Sequence, residues 1–416
     1  MAPLKDARKL LQPKFQLTRT LSCISLLRDG ILLRITPREM KFQLDSLNDS
    51  QNPNVEQEYA EIKRAAKFTK ALYGVFGYVK LKKAAYLILI EEASIVGQII
   101  RGNVYRVDKL LFVPLYANAD LAPEKEDQPF IDMLQRVQAE KAFYFSYDID
   151  LTSNLQSTLT EIRDQTSRAP DSNAATFAIM RDAYPNSIAY LSQFAFNHSL
   201  LAEFKTLEYS PFRVPCIFGY IYVGSPLVKS GASTEYYLLS RKDCRRPGRR
   251  FVTRGLDKEG NAANFAETEH VFVHYNAKQT IDVASYVQIR GSIPLLWSMK
   301  PNLKWSPPVL LAPNFEESLA AAQTHFAATK PLYGSQYLVN LIDKKGSQKR
   351  IGDQFTRLFS ELRDRALSYV WFDFHGECKK MKWENLSKLV DIVAEELQGY
   401  GHFRATLNFG FDFRSQ

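Results

Sequence analysis

Apolar positions in the first third of the chain fall in short runs: ILLRIT at 31–36, AAYLILIEE at 84–92, IVGQII at 95–100 and KLLFVPL at 109–115. Runs of this length, separated by turn residues, predict strands of a mostly antiparallel sheet. Between them, DSLNDSQNPNVEQE at 45–58 has neither bulk nor a period and reads as a surface loop. Phe130, Met133, Leu134 and Val137 then recur at i, i+3, i+4, i+7. That is the spacing of one helical face, so a helix over 126–139 is expected to cover the sheet.

After TSRAPDSNA at 167–175 the texture changes, with longer helical patterns mixed with the strands VPCIFGYIYV at 214–223 and FAETEHVFVHY at 265–275. A domain boundary is expected near residue 180, dividing the chain into 1–180 and 181–416. Ile351, Phe355, Leu358, Phe359 and Leu362 form a helical face, SYVWFDF at 368–374 an apolar strand, and Leu386, Leu389, Val390, Val393 and Leu397 a second helical face. The order helix, strand, helix predicts an α/β domain behind the β-rich one, so the fold class is mixed α/β and α+β. Leu407, Phe409, Phe411 and Phe413 alternate like one more strand, an aggregation hazard if it has no partner.

Composition adds that the chain folds, since 27 Phe and 21 Tyr supply ample apolar surface to offset backbone ordering. No run approaches the roughly 18 apolar residues that cross a bilayer. The amino-terminal MAPLKDARKLLQPKFQL interleaves charges with leucines, unlike a secretory signal, which leads to the expectation of a cytoplasmic, non-spanning chain. Lys and Arg exceed Asp and Glu by 54 − 45 = 9. That excess favours anionic partners without choosing among nucleic acid, acidic lipid and phosphorylated small molecules. Cys23, Cys216, Cys244 and Cys378 are widely spaced, which argues against a zinc site or a disulfide framework.

The densest charge is RKDCRRPGRR at 241–250, extended by Arg254. Seven cations (Arg241, Lys242, Arg245, Arg246, Arg249, Arg250, Arg254) face one acid, Asp243, with Pro247-Gly248 marking a turn. This is either a solvated basic loop or a multi-phosphate clamp of bidentate guanidinium groups. No stacking aromatics are interleaved, as a nucleic-acid surface would need. Cys244 and Arg250 have the Cys-x5-Arg spacing of cysteine-dependent phosphatases, but bulky cations crowd the interval and Pro247 removes a donor from the required anion nest. Asp373 and His375, at i and i+2 of the strand ending in WFDF, read as a carboxylate orienting an imidazole or as a structural polar pair.

Several long segments resemble, in order, the Sac-domain phosphoinositide phosphatases. LKKAAYLILIEEASIVGQI at 81–99 and FYFSYDIDLT at 143–152 resemble the amino-terminal Sac subdomain. CIFGYI at 216–221, RGLDKEGNAANFAETE at 254–269, RGSIPLLW at 290–297, HFAATKPLYGSQYLVNLIDKKGSQ at 325–348 and FDFHGECKKMKWENLSKL at 372–389 resemble the phosphatase domain. The last segment is similar to the membrane-anchored branch that hydrolyses phosphatidylinositol 4-phosphate.

The resemblance implies phosphate removal from inositol lipids through a cysteinyl-phosphate, with no cofactor and no metal. It also implies a catalytic loop of the form RTNCxDCLDRTN after the segment matched by 372–403, where this chain instead reads RATLNFGFDFRSQ. Cys244 falls on a different family segment, so its spacing is a decoy. The expectation is a truncated, inactive product with an incomplete phosphatase domain, its contact with anionic membranes peripheral. Candidate headgroup-binding residues are Arg241, Arg245, Arg249, Arg250, Arg254 and Arg290. Arg290 reads equally as part of a structural turn set by Gly291 and Pro294, with Trp297 packed in the core. Gln348 stands where the family pattern suggests glutamate. The competing reading is a non-catalytic phosphoinositide-binding adaptor that works through 241–254; a nucleic-acid partner is not expected.

Overall fold

The computed structural model describes residues 15–19, 24–28, 31–36, 41–46, 54–66, 68–100, 102–115, 125–160, 193–204, 212–224, 227–229, 232–249, 252–275, 280–300 and 307–408. The chain forms two compact units. Unit 1 comprises Met1–Arg241, His270–Val283 and Ala405–Gln416, and unit 2 Lys242–Glu269 with Ala284–Arg404. The expected boundary near residue 180 lies outside the described residues.

Unit 1 holds a five-stranded sheet and most of a second sheet. The first runs β1 (Phe15–Arg19), β2 (Ile24–Arg28), β3 (Ile31–Thr36), β4 (Lys41–Ser46) and β5 (Phe68–Leu72), in the order β4-β3-β2-β1-β5, with antiparallel pairing throughout. The second, ten-stranded sheet collects β6 (Gly74–Lys80), β7 (Ala85–Ile99), β8 (Gly102–Pro114), β9 (Phe143–Phe145), β10 (Ile217–Val223), β11 (Leu227–Lys229), β12 (Ala232–Lys242), β13 (Ala266–Tyr275) and β14 (Thr280–Arg290). Its order is β14-β13-β12-β10-β9-β8-β7-β6, with β11 on β12 and β19 (Phe403–Asn408) beside β14. The carboxy-terminal strand therefore has a partner through Asn408; Phe409, Phe411 and Phe413 lie outside the described residues.

The runs at 84–92 and 95–100 are one strand, β7, whose pairing with β8 shifts register between Ile90 and Glu92, between Glu92 and Ala93, and again between Ile95 and Gly97. Bulges of this kind bend a strand without ending it. Its apolar run AYLILI is buried on both faces. Leu87 and Leu89 join Phe15, Leu17, Ile24, Leu26, Leu33, Ile35 and Val113 in the core shared with the five-stranded sheet. Tyr86, Ile88 and Ile90 join Val107, Phe112, Phe145 and Cys216 in the core of the opposite face. Each fully buried side chain of this size contributes about 2 kcal/mol through the surface it removes from water.

Two devices close the second core. Asn197, buried, donates from Nδ2 to the carbonyls of Phe76 (2.7 Å) and Val214 (2.9 Å), and its Oδ1 accepts the Cys216 amide at 2.8 Å. Asp127, also buried, precedes α2 (Gln128–Gln138) and accepts from the amides of Lys83 (3.0 Å) and Ala84 (2.9 Å) and from the Tyr86 hydroxyl (3.0 Å). The expected helix is present, but a different face is buried. Ile131 and Leu134, in the row that starts at Asp127, pack on the sheet, while Phe130, Met133 and Val137 are exposed. The anchoring of Asp127 sets that rotation.

The surface loop expected at 45–58 is partly wrong. From Asn54 the chain is helical, forming α1 (Asn54–Arg64), whose Val55 and Tyr59 pack on Leu32. Val55, Tyr59 and Ile62, at i, i+4 and i+7, make one apolar stripe on an otherwise polar helix.

Unit 2 contains the hairpin β15 (Trp297–Met299) and β16 (Val309–Leu311), the long helix α3 (Phe315–Tyr333), and a parallel pair, β17 (Gln336–Asn340) and β18 (Leu367–Trp371). Helix α4 (Gly346–Leu362) makes the crossover and buries Ile351, Phe355 and Leu358, as its spacing predicts. Gly352 allows the close approach, since a Cβ there would lie 2.2 Å from the Trp371 ring. After β18 come a single helical turn, α5 (Phe374–Glu377), and α6 (Leu386–Tyr400).

Candidate functional site

The loop from β12 to β13 carries the basic run, and Asp243 organises it. Asp243 is buried, and its amide donates to the Phe265 carbonyl at 2.9 Å. Its carboxylate accepts the Arg245 amide at 2.7 Å and takes the Arg245 guanidinium on both oxygens, Nη2 to Oδ2 at 2.6 Å and Nε to Oδ1 at 3.1 Å. The one acid in the run thus fixes the first cation of the turn. Arg246 donates to the Arg254 carbonyl at 3.0 Å and lies 3.9 Å from Asp257. The Arg249 carbonyl accepts from Val252 (3.0 Å) and Thr253 (3.1 Å), so the chain turns after Arg249, while its bend before that lies at 244–246 rather than at Pro247-Gly248 as expected. Gly248 is required there, because a Cβ would come within 1.9 Å of the Thr253 hydroxyl.

The structure separates the predicted cations. Arg241 is corrected: it is 0% exposed and donates from Nη1 to the carbonyls of Leu151 (2.7 Å) and Ser153 (2.6 Å), so it cannot meet a ligand in solution. A readable signal was present. Tyr237, Leu239 and Arg241 alternate along β12 and all three point inward. Arg254 is half-buried, its guanidinium 5.5 Å from the centre of the Trp297 ring. Trp297 is itself half-buried, where the core was expected, because this stacking and its Nε1 bond to the Ile293 carbonyl (3.1 Å) hold it at the surface of the loop. Arg245, Arg249 and Arg290 are exposed. Arg250 lies outside the described residues.

Cys244 sits among these cations as a thiol. Burial pushes its pKa up and the neighbouring Asp243 carboxylate adds to the rise, with Arg245 opposing. A nucleophilic cysteine needs the opposite displacement. His325 of α3, half-buried, has its Nδ1 2.9 Å from the Gly260 carbonyl. Burial lowers its pKa, the Gly260 bond opposes this, and Arg245 lowers it further against Asp243. It is a neutral structural imidazole under the arginine turn.

A second constellation lies at the carboxyl ends of β17 and β18, where parallel strands present their ligand-binding loops. The strand ends at Trp371, so Asp373 and His375 do not share a strand face as expected. Asp373 instead caps α5, accepting the Gly376 amide at 2.8 Å and the Lys344 amide at 3.1 Å. Burial raises its pKa, and the two amides with the charges of Lys345 and Lys344 outweigh this, for a net fall. His375 pairs with Asp343 of the other loop, Nδ1 to Oδ1 at 2.7 Å. Gln348 closes back on the same acid, accepting the Asp343 amide at 3.1 Å. The carboxylate that orients the imidazole is thus Asp343, which no local spacing could reveal.

The sequence reading also missed a cavity of about 280 Å³ in unit 2 lined by Arg350, Gln354 and Arg357 of α4 and by Leu295, Leu311 and Phe315. Arg357 stacks on the Phe315 ring at 3.8 Å. The spacing i, i+4, i+7 of its three polar residues places them on one helical face and was available in the sequence.

Comparison with known proteins supplies what geometry alone does not. The family model of the SacI homology domain matches residues 73–379. The chain belongs to the SacI homology domain family. It is 33% identical over 339 residues to the phosphatidylinositol-3-phosphatase SAC1-B of Danio rerio, covering 80% of this chain and 54% of that protein. It is 34% identical over 359 residues to an uncharacterized protein of Schizosaccharomyces pombe, covering 85% and 56%. It is 31% identical over 323 residues to the phosphatidylinositol-3-phosphatase SAC1 of Saccharomyces cerevisiae, covering 76% and 48%. The chain therefore spans about half the length of these relatives. Both constellations lie in the family, the arginine turn and the β17–β18 loops falling within the matched residues. Among the described residues no helix is long and apolar enough to cross a membrane.

Proposed function

We propose that this SacI homology chain belongs to a phosphoinositide phosphatase and supplies recognition of the lipid headgroup. Family membership carries the reading: relatives matched over four-fifths of this chain are named as phosphatidylinositol phosphatases. The exposed Arg245, Arg249 and Arg290 are the proposed phosphate-binding residues, with Arg254 bracing the turn on Trp297. Arg245 reaches a ligand already oriented by Asp243, which lowers the entropy lost on binding. Phosphatidylinositol 4-phosphate is the proposed substrate lipid, and the location cytoplasmic and peripheral to membranes.

The 416 residues hold one Cys-x5-Arg spacing, Cys244 to Arg250. The raised thiol pKa of Cys244 favours the second reading for these residues taken alone, a phosphoinositide binder without turnover. Binding to phosphatidylcholine vesicles with and without phosphatidylinositol 4-phosphate tests the recognition. The expected outcome is salt-sensitive, headgroup-dependent binding, weakened about tenfold or more by Arg245→Glu with Arg249→Glu. Unchanged binding by a folded double variant removes the turn from the lipid site.

A further inference from the structure

The segment between α5 and α6 has a shape that the headgroup reading does not use. Residues 379–383 read Lys-Lys-Met-Lys-Trp. Lys379, Lys380 and Lys382 are exposed, and between them Met381 and Trp383 are 75% and 51% exposed. An apolar thioether and a half-exposed indole held in water cost solvation, which the packing of the loop offsets only in part.

The backbone shows how they are kept there. Lys380 and Met381 have φ of 59° and 60°, two consecutive left-handed residues that each carry a side chain. Such a pair is disfavoured by contact between Cβ and the following carbonyl, and persists only where its surroundings impose it. The base of the loop supplies that constraint. Cys378 and Phe372 are buried, the Cys378 amide donates to the Phe374 carbonyl at 2.9 Å, and Asn385 donates from Nδ2 to the Glu377 carbonyl at 2.7 Å. Trp383 leans on Phe374, ring centres 6.2 Å apart, with one side left open. Lys388 Nζ lies 2.9 Å from Glu377 on the amino-terminal flank of the loop, and the exposed Glu384 directly follows Trp383 on the other.

We propose that Lys379–Trp383 is a membrane-docking loop whose lysines engage the phosphates of an anionic bilayer while Met381 and Trp383 enter its interface. Charge selects the partner: three lysines and no acid stand within these five residues. Such clusters are drawn to anionic leaflets, and tryptophan favours the headgroup level, where one side of the ring is apolar and the other wet. An acidic protein surface would match the lysines but would not require an exposed indole beside a flexible thioether. The loop needs no phosphoinositide, so it stands apart from the headgroup reading.

The test uses the 416-residue chain with vesicles of phosphatidylcholine alone and of phosphatidylcholine with phosphatidylserine, neither containing phosphoinositide. Binding is expected on the phosphatidylserine vesicles alone and to fall with salt. The triple change Lys379→Glu, Lys380→Glu, Lys382→Glu is expected to weaken it on the order of a hundredfold, and Met381→Ser with Trp383→Ser about tenfold. The tryptophan emission lost in Trp383→Phe is expected to shift to the blue on vesicle binding. Absence of binding, equal binding to both vesicles, unchanged affinity in folded loop variants, or an unshifted Trp383 emission each overturns the proposal.

Discussion

Strand β7 in unit 1 and helix α6 in unit 2 are both written as regular apolar patterns, yet they end differently. Every residue of β7 from Tyr86 to Ile90 is buried, alternate side chains entering two different cores. In α6, Val393 is the buried member of the expected stripe, while Val390 is 58% exposed and Ile392 52%. Val339 and Leu341, at the end of β17, are exposed as well. Periodicity thus reports which element forms, and burial depends on what the chain brings to that face. Unit 1 brings a second sheet. Within unit 2 the described residues leave apolar side chains at the surface of the elements that carry the candidate loops.

The comparison predicts where each unit is easiest to break. Asn197→Ala should be the most damaging, because it leaves two buried carbonyls and one amide without the Asn197 side chain; a loss of about 3 kcal/mol is expected in urea unfolding. Gly352→Ala should cost about 2 kcal/mol in the same assay by pushing α4 off Trp371. If Asn197→Ala proves milder than Gly352→Ala, the stability contrast between the units is wrong. Arg290→Glu should leave stability within about 0.5 kcal/mol and weaken binding to phosphatidylinositol 4-phosphate vesicles roughly fivefold.

The smallest effects concern pH and separate the units by the window in which they act. Asp127 in unit 1 has its pKa lowered: burial raises it, but the amides of Lys83 and Ala84 and the Tyr86 hydroxyl outweigh burial. Its contribution is complete above the ordinary carboxylate value of 3.8 and is lost as pH falls through the folded value. His325 in unit 2 is also lowered, from 6.5, chiefly by burial, so its neutral form is favoured in the folded state. That contribution is present above 6.5 and is lost as pH falls below it. His325→Gln should therefore flatten the loss of stability as pH falls below 6.5, whereas Asp127→Asn should flatten it only at pH below 3.8. Unfolding curves across both windows check the pair.

How much of this was legible depended on whether the deciding contact was local. The β-rich first region, α2, α4, β18 and α6 followed from runs and spacings within a few residues. Helix α1 was missed although Val55, Tyr59 and Ile62 stand at i, i+4 and i+7, because only the first of them lies among the polar residues at 45–58, and the buried face of α2 was not legible, since Asp127 is anchored to residues more than forty positions away. In the site, the charge of the arginine run was plain, but its division was not. Arg241 turned inward by the alternation of β12, Arg245 was claimed by Asp243, and Arg249 and Arg290 stayed exposed. The pairing of His375 with Asp343 required the parallel register of β17 and β18, a 32-residue separation that no spacing rule reaches.

The most direct test of the proposal that this chain recognises phosphoinositide without turning it over is phosphate release from phosphatidylinositol 4-phosphate vesicles by the purified 416 residues, with Cys244→Ser alongside. No release above the protein-free blank, from wild type or variant, is the predicted result. Release by the wild type that Cys244→Ser abolishes would contradict it, and would make the arginine turn a catalytic loop.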